Sequence, residues 1–217
     1  MPEIRWSWID RHLDDILQAT LEHLVLVGLS VAAATLIAVP LAIAVRQSRI
    51  GRTVSVGATT VIYTIPSLAL FAVLVTVTGI GRVTSVIGLA AYATGVLLRT
   101  TLTGLQQVPS AAIDAARGMG MTRRQILGRV ELPLALPGIL TGLRLATIET
   151  VAIATIAVFV AGGGLGSLIY SDGIQRDLYF TPILVGTVVA ILLAVVLDAI
   201  LMTVQRLATG WQRAGRP

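Results

Sequence analysis

The chain has 217 residues, 55% hydrophobic and 12% charged, with a mean hydropathy of +0.88. Soluble domains of this size carry about 25% charged residues, so lipid is the expected solvent and the length suits one domain. The absence of cysteine excludes disulfides and Cys-based metal sites. The net charge of +5 comes entirely from arginine. Those arginines lie between apolar runs, which speaks for membrane topology rather than nucleic-acid binding.

The first twenty residues combine Glu3, Asp10, Asp14 and Asp15 with Trp6, Trp8 and Ile9. This is not a secretory signal pattern; it predicts an amphipathic segment at the membrane surface, with His12 and His23 as ordinary interfacial residues. Crossing the hydrocarbon core takes about 20 apolar residues. Five stretches qualify: Leu24–Val45, Val54–Gly81, Val83–Leu98 with an extension to Leu105, Leu134–Ala161 and Leu178–Val204. Pro40 and Pro66 each remove a backbone donor, which predicts kinks in the first two spans. Ser67 stands ready to satisfy the backbone that Pro66 frees. A broken helix at mid-membrane is a common place for a substrate path, and Tyr63, Pro66 and Ser67 fall there.

Arginine sets the direction. Arg46, Arg49 and Arg52 fill the first connection; Arg99, Arg117, Arg123, Arg124 and Arg129 belong to the third; Arg206, Arg213 and Arg216 form the tail. With five spans these fall on one side, predicted to be cytoplasmic, and the N-terminus lies outside. The expected organisation is an N-terminal extracellular or interfacial segment over 1–20, a transmembrane domain over 21–205 and a cytoplasmic tail over 206–217.

The third connection, 109–133, reads PSAAIDAARGMGMTRRQILGRVELP. Pro109 and Ser110 predict a helix start with Ser110 as N-cap, and Asp114 then lies near the positive end of the helix dipole. Ala111, Ala112, Ala115 and Ala116 form a small-residue face. Gly118 and Gly120 predict a turn, Thr122 a second cap, and Ile126, Leu127 and Val130 the apolar face of a second helix. The expectation is two short helices joined by a glycine elbow.

Within that loop, Asp114-Ala115-Ala116, Gly120, Val130 and Leu132-Pro133 resemble the EAA signature of ATP-binding cassette importer permeases. Asp114 stands for the usual glutamate and Val130 for the usual isoleucine. The resemblance implies an all-α, methionine-importer-like type I permease core of five transmembrane helices. It also implies that the elbow docks on a partner ATPase through Asp114, Ala115, Ala116, Arg117, Gly118, Gly120, Arg123, Leu132 and Pro133. Ile65–Leu70, Gly79–Gly81, Arg117–Thr122, Glu131–Pro137 and Gly162–Gly166 are similar to the glycine betaine, carnitine and choline branch. On that resemblance, ATP and magnesium belong to an ATPase dimer and none is bound by this chain. A second permease subunit, identical or related, and a separate extracellular or periplasmic binding protein complete the machine, in a bacterial or archaeal cell membrane.

Glu149 lies near the middle of the fourth span, where an unpartnered carboxylate is costly. It is either part of a path for a cationic substrate or a structural group paired with Arg144 in competition with Asp198. Gly163 and Gly164 either line an external gate or end a helix. The sequence has no G-x-x-x-x-G-K-[ST], G-x-S-x-G or H-E-x-x-H motif, so neither P-loop ATP hydrolysis nor those hydrolase chemistries are expected. A passive channel has no need of the 114–133 pattern.

Overall fold

A computed structural model describes residues 4–210. Residues 1–3, with Glu3, and 211–217, with Arg213 and Arg216, lie outside the described residues. All regular structure among the described residues is helical. In chain order the helices are α1 (Trp6–Arg11), α2 (Leu13–Val45), α3 (Arg49–Thr64), α4 (Ser67–Thr78), α5 (Arg82–Gln106), α6 (Ser110–Gly118), α7 (Arg123–Ile126), α8 (Leu132–Ala154), α9 (Leu165–Ile169) and α10 (Phe180–Ala208). Among the described residues, four helical segments are long and apolar enough to cross a membrane, and the bent pair α3–α4 makes five.

The layout follows from where small residues sit. Helix α5 is the hub, packed between α2 and α8. On α2, Ala34, Ala38 and Ala42 recur every four residues and are fully buried against Leu97, Leu98 and Leu102 of α5. On the other side, Gly138 and Gly142 of α8 face Gly104 and Thr100 of α5. A methyl on Gly138 would lie 2.9 Å from the Gly104 Cα, and one on Gly142 would collide with Thr100 Oγ1. This small-xxx-small spacing lets two backbones approach closely where lipid supplies no hydrophobic drive. Helix α10 packs on α8 and leaves Ile191, Leu192, Val195, Val196 and Ile200 exposed, which suits a lipid-facing helix.

Several expectations are corrected. The second span is broken rather than kinked: α3 and α4 meet at 99°. Ile65 precedes a proline and is extended (φ −72°, ψ 128°). Ser67 does not cap this break. The Tyr92 hydroxyl donates to the Ile65 carbonyl instead, and the Ile65 N–H donates to the Ile62 carbonyl at 3.1 Å. Pro40 lies inside α2, which continues through it as one helix of 33 residues. At 1.5 Å per residue α2 is about 50 Å long, well beyond a hydrocarbon core of about 30 Å. It is continuous across residue 20.

The N-terminal segment docks on the protein. Trp8 is 7% exposed and packs with Leu165, Leu168 and Ala190. It meets Tyr179 edge-on at 6.1 Å and stacks on His12 at 4.3 Å. The Arg5 N–H donates to Thr181 Oγ1 at 3.1 Å. Trp6 remains exposed. His23 is not interfacial; it is fully buried, as described below.

Candidate functional site: an elbow, a glycine turn and two intramembrane charges

The elbow begins at Pro109, which is the N-cap of α6; Ser110 is the first helical residue and makes no capping bond. Asp114 therefore lies in the second turn, past the first-turn N–H groups, and forms an exposed pair with Arg117 at 3.2 Å. Helix α6 ends in a Schellman motif: the Gly120 N–H donates to the Arg117 carbonyl at 2.9 Å and the Met121 N–H to the Ala116 carbonyl at 3.1 Å. Gly120 has φ +77°, and a Cβ there would meet nothing within 4 Å. The glycine is required by backbone conformation alone. Thr122 then starts α7 with a capping box, its Oγ1 accepting from the Gln125 N–H at 3.4 Å while Gln125 Oε1 accepts from the Thr122 N–H at 2.8 Å.

The second arm is not a separate short helix. Helix α7 runs through one π turn, Leu127–Glu131, directly into α8. The Leu132 N–H donates to the Leu127 carbonyl, five residues back. Pro133 follows at the second position of α8; its missing N–H leaves the Arg129 carbonyl without its usual donor, and the wider turn spans that defect. Of the small-residue face, Ala115 is exposed but Ala116 is 1% exposed and packs inward. Ala116 therefore supports the elbow from within and presents no surface. Gly118, Arg123 and Arg124 are exposed, and so is Met119 at the apex.

Gly163 and Gly164 sit at the opposite end of the bundle, after a 3₁₀ stretch Thr155–Val160. Ala161, Gly163 and Gly164 all have positive φ (56°, 73° and 77°). The turn is tied to α2: the Gly164 N–H donates to Glu22 Oε2 at 3.2 Å, and the Leu165 N–H donates to His23 Nδ1 at 3.3 Å. The second ring nitrogen of His23, Nε2, bonds the Val151 carbonyl at 3.1 Å. His23 thus joins α2, α8 and α9. No hydrogen bond among the described residues connects these glycines to the Tyr63 region.

Tyr63, Pro66 and Glu149 do come together. The Tyr63 hydroxyl donates to Glu149 Oε1, and the Tyr63 ring meets the Tyr92 ring edge-on at 6.0 Å. Tyr92 in turn holds the Ile65–Pro66 break. Glu149 does not pair with Arg144. Arg144 donates from Nε and Nη2 to the two Asp198 carboxylate oxygens (2.8 and 3.0 Å) and from Nη1 to Gln205 Oε1 at 3.1 Å. Asp198 is the counter-charge of Arg144.

The description "binding-protein-dependent transport system inner membrane component" fits residues 31–209, which match that family's model. A choline transport system permease protein of Bacillus subtilis is 35% identical over 202 residues, 92% of each chain. A glycine betaine/carnitine/choline permease protein of the same organism is 34% identical, over 90% of this chain and 89% of that one. An osmoprotectant import permease protein of Salmonella typhimurium is 35% identical, over 88% and 90%. The chain belongs to this family. It is a multi-pass membrane permease subunit of a binding-protein-dependent transport system. The permease shares its fold with a chain of an inward-facing methionine ABC transporter (24% identical, TM-score 0.80, covering 89% of this chain and 96% of that one). It also shares it with a chain of an amino acid ABC transporter (20%, TM-score 0.77, covering 94% and 99%).

Two residues of the permease escaped sequence reasoning. Arg46 looked like a topology marker, but its Nε donates to the nearly buried Glu131 at 2.8 Å and its Nη1 to the Ile43 carbonyl at 2.7 Å. This pair pins the end of α2 to the π turn behind the elbow. Arg99 looked like another topology marker, but its Nη2 donates to Thr60 Oγ1 of α3 at 2.5 Å. Partners 85 and 39 residues away leave no periodic trace in the sequence.

Proposed function

We propose that this permease is the membrane subunit of an ATP-driven importer that takes up a small quaternary ammonium osmolyte such as glycine betaine, carnitine or choline. The cargo class is supported by the names of relatives about 35% identical over most of the chain. A separate binding protein hands the cargo over on the outer side. Two ATPase subunits dock on the elbow side, and a second permease subunit, identical or related, completes the path. The arginine-rich elbow end faces the cytoplasm, so the C-terminus lies inside and the N-terminus outside. The chain itself contributes no bond chemistry, and ATP and magnesium belong to the ATPase.

The single observation that carries the coupling role is the elbow's construction. A coupling element must protrude, hold its shape and pass a rigid displacement to the spans. Asp114, Ala115, Arg117, Gly118, Met119 and Arg123 form the protruding surface. Ala116 and Gly120 hold the shape, and Leu132–Pro133 begin the span that receives the displacement. The substrate path runs past Tyr63, Pro66, Ser67 and Glu149, with Gly163 and Gly164 at its outer end.

Gly120→Val tests this reading. Valine is strained at φ +77° but meets no neighbour, so the change acts on the turn alone. In proteoliposomes with the ATPase and binding protein, ATP hydrolysis persists while uptake falls at least about tenfold. Unaltered coupled uptake would refute the coupling role.

A further inference from the structure

The charged groups within the spans include Arg99, Arg144, Glu149 and Asp198. Arg144 and Asp198 neutralise each other. Arg99 and Glu149 do not; among the described residues neither is in an ion pair. Each is held by a hydroxyl of α3. Arg99 bonds Thr60 and Glu149 bonds Tyr63, residues one turn apart on the same helix face. Tyr92 and Arg99, seven residues apart, share a face of α5. Arg99 also borders a cavity of about 410 Å³ between α5 and α8, where Thr100, Thr103, Gln107 and Thr141 supply hydroxyl and amide groups.

Charges inside a span that lack an ion partner mark ligand or water pathways. Here Glu149 sits beside Tyr63, whose ring meets the buried Tyr92 ring edge-on, and Arg99 borders a mostly apolar cavity that carries a few hydroxyl and amide groups. An onium head is drawn to a carboxylate flanked by aromatic rings. A carboxylate is drawn to a guanidinium. We infer that Arg99 and Glu149 with Tyr63 form a transit site for a zwitterion, Glu149 and the Tyr63 ring facing its onium head and Arg99 its carboxylate. This rests on the proposed osmolyte cargo and narrows it: glycine betaine and carnitine carry both charges, whereas choline carries only the cation.

The experiment measures uptake of glycine betaine and of choline by the permease reconstituted with its ATPase and binding protein. Copurification of the ATPase checks assembly of each variant. Arg99→Gln lowers the glycine betaine-to-choline uptake ratio about tenfold, the scale of one lost charge-assisted hydrogen bond. Arg99→Lys, which keeps the charge, restores most of that ratio. Glu149→Gln lowers uptake of both cargos about tenfold and leaves the ratio within about twofold. Equal losses on both cargos in Arg99→Gln, recovered in the exchanged double variant Arg99→Glu/Glu149→Arg, would make the two an ion pair between permease copies and overturn the inference. Unchanged uptake in both Gln variants would overturn it too, leaving Arg99 a lipid-facing group. A wild-type protein that imports choline alone overturns this inference but not the osmolyte reading; one that imports neither cargo overturns both.

Discussion

Two levels of α8 handle charge in opposite ways. At the level nearer the elbow, Arg144 meets Asp198 through two hydrogen bonds, and Gln205 closes the arrangement by donating to the Pro137 carbonyl at 3.2 Å and to Thr141 Oγ1 at 3.0 Å. Further along, Glu149 has one hydroxyl for company. A complete ion pair in a span locks two helices together. A charge held by a single hydroxyl remains free to exchange that partner for another. Location in the membrane does not by itself mark a working residue.

The comparison breaks or sharpens under substitution. Asp198→Ala has the largest expected effect, because it leaves Arg144 without its counter-charge between α8 and α10. The folded permease loses about 3 kcal/mol, seen as a lower thermal midpoint in detergent and a poor yield of inserted protein. A midpoint within a degree of wild type would mean the pair is ornamental. The double variant Arg144→Met/Asp198→Leu replaces both charges with apolar groups and recovers stability to within about 1 kcal/mol of wild type. Failure to recover would show that the pair supplies specificity that packing cannot replace. Tyr63→Phe has the smallest effect. It removes the hydroxyl from Glu149 but keeps the ring, so uptake falls about threefold and the midpoint moves by less than about 1 kcal/mol equivalent. A large loss of stability there would move Tyr63 into the same structural class as Asp198.

Much of the frame was legible from local signals. Span lengths follow from apolar runs, and the elbow follows from Gly120 and Thr122, whose roles depend on neighbours within four residues. The 99° break at Pro66 was legible in position but not in size, since the contact there comes from Tyr92, 27 residues away on α5. His23, Arg46 and the Glu149 partner were not legible. Their contacts span 128, 85 and 86 residues, and a sequence read locally assigns such groups to interface or topology. Gly138 and Gly142 did carry a readable sign, their four-residue spacing, which lets α8 approach α5 closely.

The continuity of α7 with α8 has a mechanical consequence. With no flexible joint between elbow and span, the two behave as one lever of about 50 Å. The Arg46–Glu131 pair lies near its lower end and serves as a fulcrum. The arm from Arg123 to Glu131 is about 12 Å, so a push of about 5 Å at the elbow swings the lever by roughly 23°. Glu149, on the far arm, is carried sideways, away from or toward the hydroxyl on α3 that holds it.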